Sequence, residues 1–216
     1  SDFTDFKLTV SNTNDPPTLN YISPQTATED MPFSLQLVGQ DVDVGDTLTY
    51  SLISSPTGMT INQVTGFITW TPTNDDVGSH LVIVRVSDTS GAFAERLFQI
   101  TVANVNDAPM ITTTTLPNAT EGSTYMATIQ AKDVDGDVLT FSLDSSPSFL
   151  SIDEETGLIY GMPTNGDIGV HQIVVNVSDG TTFVTRAFNL TVLNVNDLPA
   201  ITSYPITNAK PGTVYA

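Results

Sequence analysis

The stretch RLFQITVANVNDAPMI, Arg96 to Ile111, returns as RAFNLTVLNVNDLPAI, Arg186 to Ile201, and a shorter form, DFKLTVSNTNDPP, opens the chain at Asp5. Outward from this anchor the agreement continues. DVDVGDTLTYSL (Asp41 to Leu52) matches DVDGDVLTFSL (Asp133 to Leu143), and TGFITWTPTNDDVGSH (Thr65 to His80) matches TGLIYGMPTNGDIGVH (Thr156 to His171). The offset stays between 90 and 92 residues, so the 216-residue chain holds two tandem copies of one module. The copies are expected at 16–107 and 108–197. Residues 1–15 correspond to the last strand and linker of a preceding repeat, and 198–216 to the first strand of a following one.

Within a module the apolar residues recur with period two. Val82, Val84 and Val86 alternate with Ile83, Arg85 and Ser87, and their counterparts are Ile173, Val175 and Val177. Phe98, Ile100 and Val102 pair in the same way with Phe188, Leu190 and Val192, and with Phe6, Leu8 and Val10 of the opening fragment. Such triplets put one face of a strand inward. Gly, Pro, Asn and Asp mark the turns, and no segment has helical periodicity. About seven short strands per module predict an all-β chain of two Greek-key β-sandwiches joined end to end.

Composition narrows the function classes. Six basic residues against 24 acidic ones give a net charge of −18, and only five of the acids are glutamate. Aspartate is favoured in turns and as a calcium ligand. A chain this acidic repels phosphates, which excludes nucleic acid as a partner. Cysteine is absent, so there is no disulfide framework, thiolate zinc site or cysteine nucleophile. No apolar run is long enough to insert into a membrane.

The acids recur at fixed positions. The linkers NTND (Asn12 to Asp15), NVND (Asn104 to Asp107) and NVND (Asn194 to Asp197) each precede a proline. The pairs Asp41/Asp43 and Asp133/Asp135 lie in turns, with Asp46 and Asp137 close behind. Single acids recur at Glu29 and Glu121, Asp76 and Asp167, and Asp88 and Asp179. Taken singly, these also fit solvated turns. Their repetition at the predicted poles favours a cation bound by six to eight hard oxygens, which is calcium.

These features resemble cadherin-type repeats, in particular the dystroglycan-type and Ig-like variants of large microbial surface proteins and adhesins. NVNDAP and NVNDLP are close to the cadherin linker D-x-N-D-N-x-P, with Asn in place of the first Asp. The DVD pairs match D-x-D, VSD at Asp88 and Asp179 matches the later single ligand, and Glu29 and Glu121 match the early acid. The D-R-E triplet is replaced by NDD (Asn74 to Asp76) and NGD (Asn165 to Asp167). The resemblance implies a Ca2+ junction gathering Glu29, Asp76, Asn104, Asn106, Asp107, Asp133, Asp135 and Asp179. It implies corresponding ligands at Asp15, Asp41, Asp43 and Asp88 before it, and at Glu121, Asp167, Asn196 and Asp197 after it. It further implies that calcium restrains the hinge between repeats.

No catalytic constellation recurs. DTSG (Asp88 to Gly91) resembles an aspartic-protease signature, but the second copy reads DGTT, so no carboxylate dyad is indicated. His80 and His171 share one repeat position without metal-ligand spacing and read as framework. N-x-S/T sequons begin at Asn118, Asn176 and Asn189. The expectation is a non-enzymatic, calcium-stiffened segment of an extracellular, cell-surface adhesin-type protein. Its partners would be neighbouring repeats of the same chain and cell-surface polysaccharide or another cadherin-like domain. The competing reading is a carbohydrate- or protein-binding module accessory to an extracellular hydrolase, with Trp70 and the edge strands as its surfaces, although a Trp at such a place more commonly packs over a strand end than stacks on a sugar.

Overall fold

Strict alternation sends every second side chain of the long strands into a shared interior, and that interior is what the computed structural model shows. It describes residues 7–9 and 11–200. The expected terminal strands at residues 3–10 and 201–216 therefore lie, apart from residues 7–9, outside the described residues. The packing divides the chain into two units. The first runs to Asp107 and takes in Val134–Asp137, while the second comprises Ala108–Asp133 and the chain from Val138 onward.

In the first unit the chain forms β1 (Thr18–Leu19), β2 (Gln25–Thr28), β3 (Phe33–Gln36), β4 (Gly39–Gln40) and β5 (Thr49–Ser54). These are followed by β6 (Thr60–Ile61), β7 (Phe67–Trp70), a 3-10 turn at Asn74–Asp76, β8 (Gly78–Ser87) and β9 (Phe93–Ala103). One sheet has the order β2-β9-β8-β5 and the other β3-β7-β6, with β1 and β4 forming a short ladder beside them. The opening strand thus changes sheets: Thr18–Leu19 pairs antiparallel with Gly39–Gln40, then Gln25–Thr28 runs parallel to Ile100–Ala103. Val82, Val84 and Val86 from β8, Ile100 from β9 and Ile68 from β7 are completely buried between the sheets. Removing each from water contributes about 1.5–3 kcal/mol.

The second unit repeats this order. Its strands are β10 (Met110–Ile111), β11 (Ala119–Thr120), β12 (Tyr125–Thr128), β13 (Ala131–Lys132) and β14 (Thr140–Ser145). Then come β15 (Leu150–Ile152), β16 (Leu158–Gly161), a 3-10 turn at Asn165–Asp167, β17 (Gly169–Ser178) and β18 (Phe183–Leu193). The sheets are β11-β18-β17-β14 and β12-β16-β15. Ile159, Ile173, Val175, Val177 and Leu190 form the fully buried centre.

The two cores solve one packing problem in different ways. Trp70 is only 3% exposed, donates its indole N–H to Thr57 O at 3.1 Å, and meets the His80 ring edge-on at 6.0 Å. At the matching position of the second unit stands Gly161, and Phe149, in place of Gly58, presents its ring to His171 at 5.7 Å. A Cβ on Gly161 would fall 2.0 Å from the Phe149 carbonyl oxygen. Each unit thus sets one bulky ring against its histidine, the buried Trp70 in the first and the partly buried Phe149, from a different chain position, in the second. The Trp70 ring belongs to the interior, as expected of a tryptophan packed over a strand end, and is not presented to a sugar. The histidines are framework: each donates Nε2–H to a main-chain carbonyl, Asp76 O or Asp167 O, at 2.6 Å.

Candidate metal centres

The turn after β4 carries Asp41, Asp43 and Asp46, and the hairpin after β8 carries Asp88. One carboxylate oxygen from each of Asp41, Asp46 and Asp88 lies within 4.8 Å of the other two. Local donors fix each side chain by one oxygen. Asp43 N–H donates to Asp41 Oδ1 at 2.8 Å, and the Thr89 hydroxyl donates to Asp46 Oδ1 at 2.6 Å. Ser90 and Ala92 N–H both donate to Asp88 Oδ1 at 2.9 Å. The remaining Oδ2 atoms of Asp41 and Asp46 are buried with no hydrogen-bond donor. A buried acceptor without a donor is costly, and a cation removes that cost.

The NTND segment is tied to the same turn. Asn14 Nδ2 donates to Asp88 Oδ2 at 2.9 Å, Asn12 Nδ2 to Asp43 Oδ1 at 2.7 Å, and Asp15 N–H to Asp43 Oδ2 at 2.7 Å. The Asn14 amide, helped by the hairpin N–H groups, holds the Asp88 carboxyl below the ordinary aspartate range, so it stays ionised.

A second group combines Glu29 at the end of β2, Asp107 and Asp135, again with one oxygen each within 4.8 Å. Glu29 is 1% exposed. Its Oε1 accepts the Val105 N–H, and its Oε2 is buried with no donor. Asp107 N–H donates to Asp135 Oδ2 at 2.7 Å. The segment after β9 is therefore held at two backbone amides by two of the acids. Asp133, Asp135 and Asp137, all on one turn, form a third group of the same compactness. Among the described residues no cation pairs with Glu29, Asp41, Asp46 or Asp88, whereas Arg85 and Glu95 form a salt bridge at 2.6 Å.

Other expected ligands are engaged differently. The Asp76 and Asp167 carboxylates cap their 3-10 turns, accepting from the backbone N–H and hydroxyl of Thr73 and of Thr164. The Thr164 bonds, with the nearby His171, keep Asp167 below the usual carboxylate range. Asn104 is exposed, and Asn106 Nδ2 donates to Asp107 O at 3.0 Å. In the second unit Glu121 repeats the role of Glu29 by accepting the Val195 N–H, and it lines an open cavity of about 630 Å3 with Asn165 and Asp197. Asn196 Nδ2 reaches Asp197 O at 3.5 Å. Asp179 Oδ1 accepts from Thr181 and Thr182 N–H at 2.6 Å each. Asp46 and Asp137 join the groups although no cadherin motif position claims them. Their signal was the third aspartate following each D-x-D pair.

The sandwiches and their acidic ends now stand beside known proteins. The profile of the family described as "Putative Ig domain" matches residues 16–103 and again 108–193. The chain belongs to this Ig family. Its two Ig modules are similar to Chitinase A of Pseudoalteromonas piscicida, at 27% identity over 190 residues. That match covers 86% of this chain but only 23% of the chitinase. Among solved structures, human Protocadherin-24 EC1-2 (Form II) is similar at a TM-score of 0.57 and 20% identity, covering 85% of this chain and all of that one. PcdhgB3 EC1-4 is similar at a TM-score of 0.63 and 19% identity, covering 87% of this chain and 52% of that one. The Ig modules share the cadherin-repeat fold with both.

Proposed function

We propose that these Ig modules are a calcium-binding, non-catalytic structural segment of a larger extracellular surface protein, acting as an adhesin-type spacer. The observation that carries this reading is the set of buried carboxylate oxygens without donors on Glu29, Asp41 and Asp46, residues that each belong to a group of three acids with one oxygen apiece within 4.8 Å. Clustered hard oxygens without a partner cation suit Ca2+. Glu29, Asp107 and Asp135 are the ligands of one site, and Asp41, Asp46 and Asp88 those of another, with Asp15 and Asp43 beside them. Glu121, Asp197 and the Asp133–Asp137 turn supply further ligands, and Asp76, Asp167 and Asp179 support the loops around them. Calcium at Glu29 and Asp135 fixes the Asn104–Asp107 segment and stiffens the chain there. The test is calorimetric titration of metal-stripped protein. The expected result is calcium binding at roughly 0.1–1 mM, with one class of sites lost in an Asp41→Asn, Asp46→Asn double variant. Absence of heat, together with melting curves identical in calcium and chelator, would overturn it. The chitinase likeness supports a second reading, in which the segment is a spacer attached to an extracellular polysaccharide hydrolase.

A further inference from the structure

The opening strand of the first unit leaves a groove where it changes sheets. Residues 20–24 connect β1 to β2, and the groove beside them, about 230 Å3, is lined by Tyr21, Ile22, Gln25, Leu35, Gln36 and Leu37 among others. Tyr21 is 80% exposed. None of the lining residues carries a formal charge, although the chain as a whole is at −18.

The second unit is laced differently at the same place. There Thr112 and Thr113 N–H both donate to Gln130 O, at 2.8 and 3.2 Å, and Gln130 N–H donates to the Thr113 hydroxyl at 2.7 Å. Thr113 stands where the first unit has Tyr21, and Ala127 where it has Leu35. In the first unit the corresponding lacing is the single Asn20 N–H to Val38 O bond at 3.0 Å. The fold therefore does not require an aromatic ring here. The difference between two copies of one module points to a task peculiar to the first.

The groove's chemistry is specific. Gln25 Nε2 is held by Ser23 O at 2.8 Å, and Gln36 Nε2 by Leu37 O at 2.8 Å and Thr65 O at 2.5 Å. Both amide NH2 groups are thus occupied, which leaves each side-chain carbonyl as a pre-positioned acceptor. An exposed aromatic ring, an aliphatic lining from Ile22, Leu35 and Leu37, and fixed neutral acceptors suit a ligand with one apolar face and hydroxyls at its edge. We infer that this groove binds a neutral glycan built of equatorial pyranoses, one ring lying on Tyr21 and its hydroxyls donating to Gln25 and Gln36. Anionic polysaccharides are disfavoured by the chain's charge. The inference does not depend on the calcium sites, and it gives the hydrolase-attached reading a ligand.

The experiment is an amide NMR titration of the whole chain, in chelator so that metal binding plays no part. The probes are cello-, chito- and laminari-oligosaccharides against oligogalacturonate. At about 10 mM sugar, sufficient for a millimolar site, at least one neutral probe should shift residues 20–25 and 35–38. Tyr21→Ala should weaken that response at least tenfold, while Tyr160→Ala, on the second unit, leaves it unchanged. Gln36→Leu should weaken binding, with other spectral changes confined to the neighbourhood of Leu37 and Thr65, which its amide holds. The inference is overturned if no neutral sugar shifts these residues, if Tyr21→Ala responds like the parent, or if oligogalacturonate binds equally well.

Discussion

Replacing Glu29 by Gln removes one charge and almost no volume from a site where three acidic oxygens lie within 4.8 Å. A pair of charges at that separation repels by about 0.9 kcal/mol in a water-like medium and about 3.5 kcal/mol at an effective dielectric near 20. Glu29 takes part in two of the three pairs. Its neutralisation should therefore stabilise the calcium-free first unit by about 2 kcal/mol, even at the weak end of that range. For a module of this size that corresponds to a melting temperature raised by roughly 8 °C. Gln retains a carbonyl for the Val105 N–H, so the local structure survives. Calcium should act in the opposite sense. At a hundredfold excess over its dissociation constant the ion stabilises the parent by about 2.7 kcal/mol, whereas a tenfold weaker variant gains only about 1.4 kcal/mol. Melting followed by circular dichroism, in chelator and in calcium at low salt, yields both numbers. A variant that melts at or below the parent in chelator, or that gains as much from calcium, would rule out charge repulsion at Glu29.

Two further perturbations address the modules themselves. Trp70→Ala should destabilise the first unit by about 3–5 kcal/mol. Gly161→Ala should cost the second about 3 kcal/mol, because the new Cβ meets the Phe149 backbone and not a yielding side chain; urea unfolding that shows either change neutral would contradict the ring-for-ring substitution. Asp153 is held below the ordinary aspartate range, first by the Thr156 hydroxyl and then by the Thr156 and Glu155 N–H groups. Its contribution is present above the unfolded value, near about 3.9, and is lost as pH falls through the lower folded one. Asn62 makes the same turn in the first unit, accepting from Val64 and Thr65 N–H. Asp153→Asn should thus fold normally and lose part of the acid sensitivity, read as urea midpoints from about pH 2 to 6; a difference from the parent that does not change with pH would count against it.

The strand pattern was open to reading because inward positions such as Val82, Val84 and Val86 are fixed by a period of two, and because a second copy repeated them. Glu29 and Asp135 were found through the repeat as well. What the chain order concealed was partnership across space. Trp70 has a glycine as its counterpart, and the compensating ring, Phe149, lies twelve residues before that glycine. Asp76 recurs as an acid, and the chain order does not show that its Oδ2 accepts from a threonine three residues earlier. The Tyr21 groove arises where a strand leaves one sheet for the other, a place that alternation does not mark.

The parallel alignment of the first and last strands bears on mechanical load. When a module is pulled by its two ends, β2 and β9 are drawn past each other along their axes, so their bonds are sheared together instead of being unzipped one at a time. This clasp spans four residue pairs in the first unit, Gln25–Ile100 to Thr28–Ala103, but only two in the second, Ala119–Val192 and Thr120–Leu193. Under a common tension the second unit should yield at the lower force, serving as a fuse that lengthens the chain while its neighbour still holds. Single-molecule extension in which the tougher of two rupture events is lost on weakening β2, for example by Thr26→Pro, would bear this out. Loss of the weaker event would reverse the order.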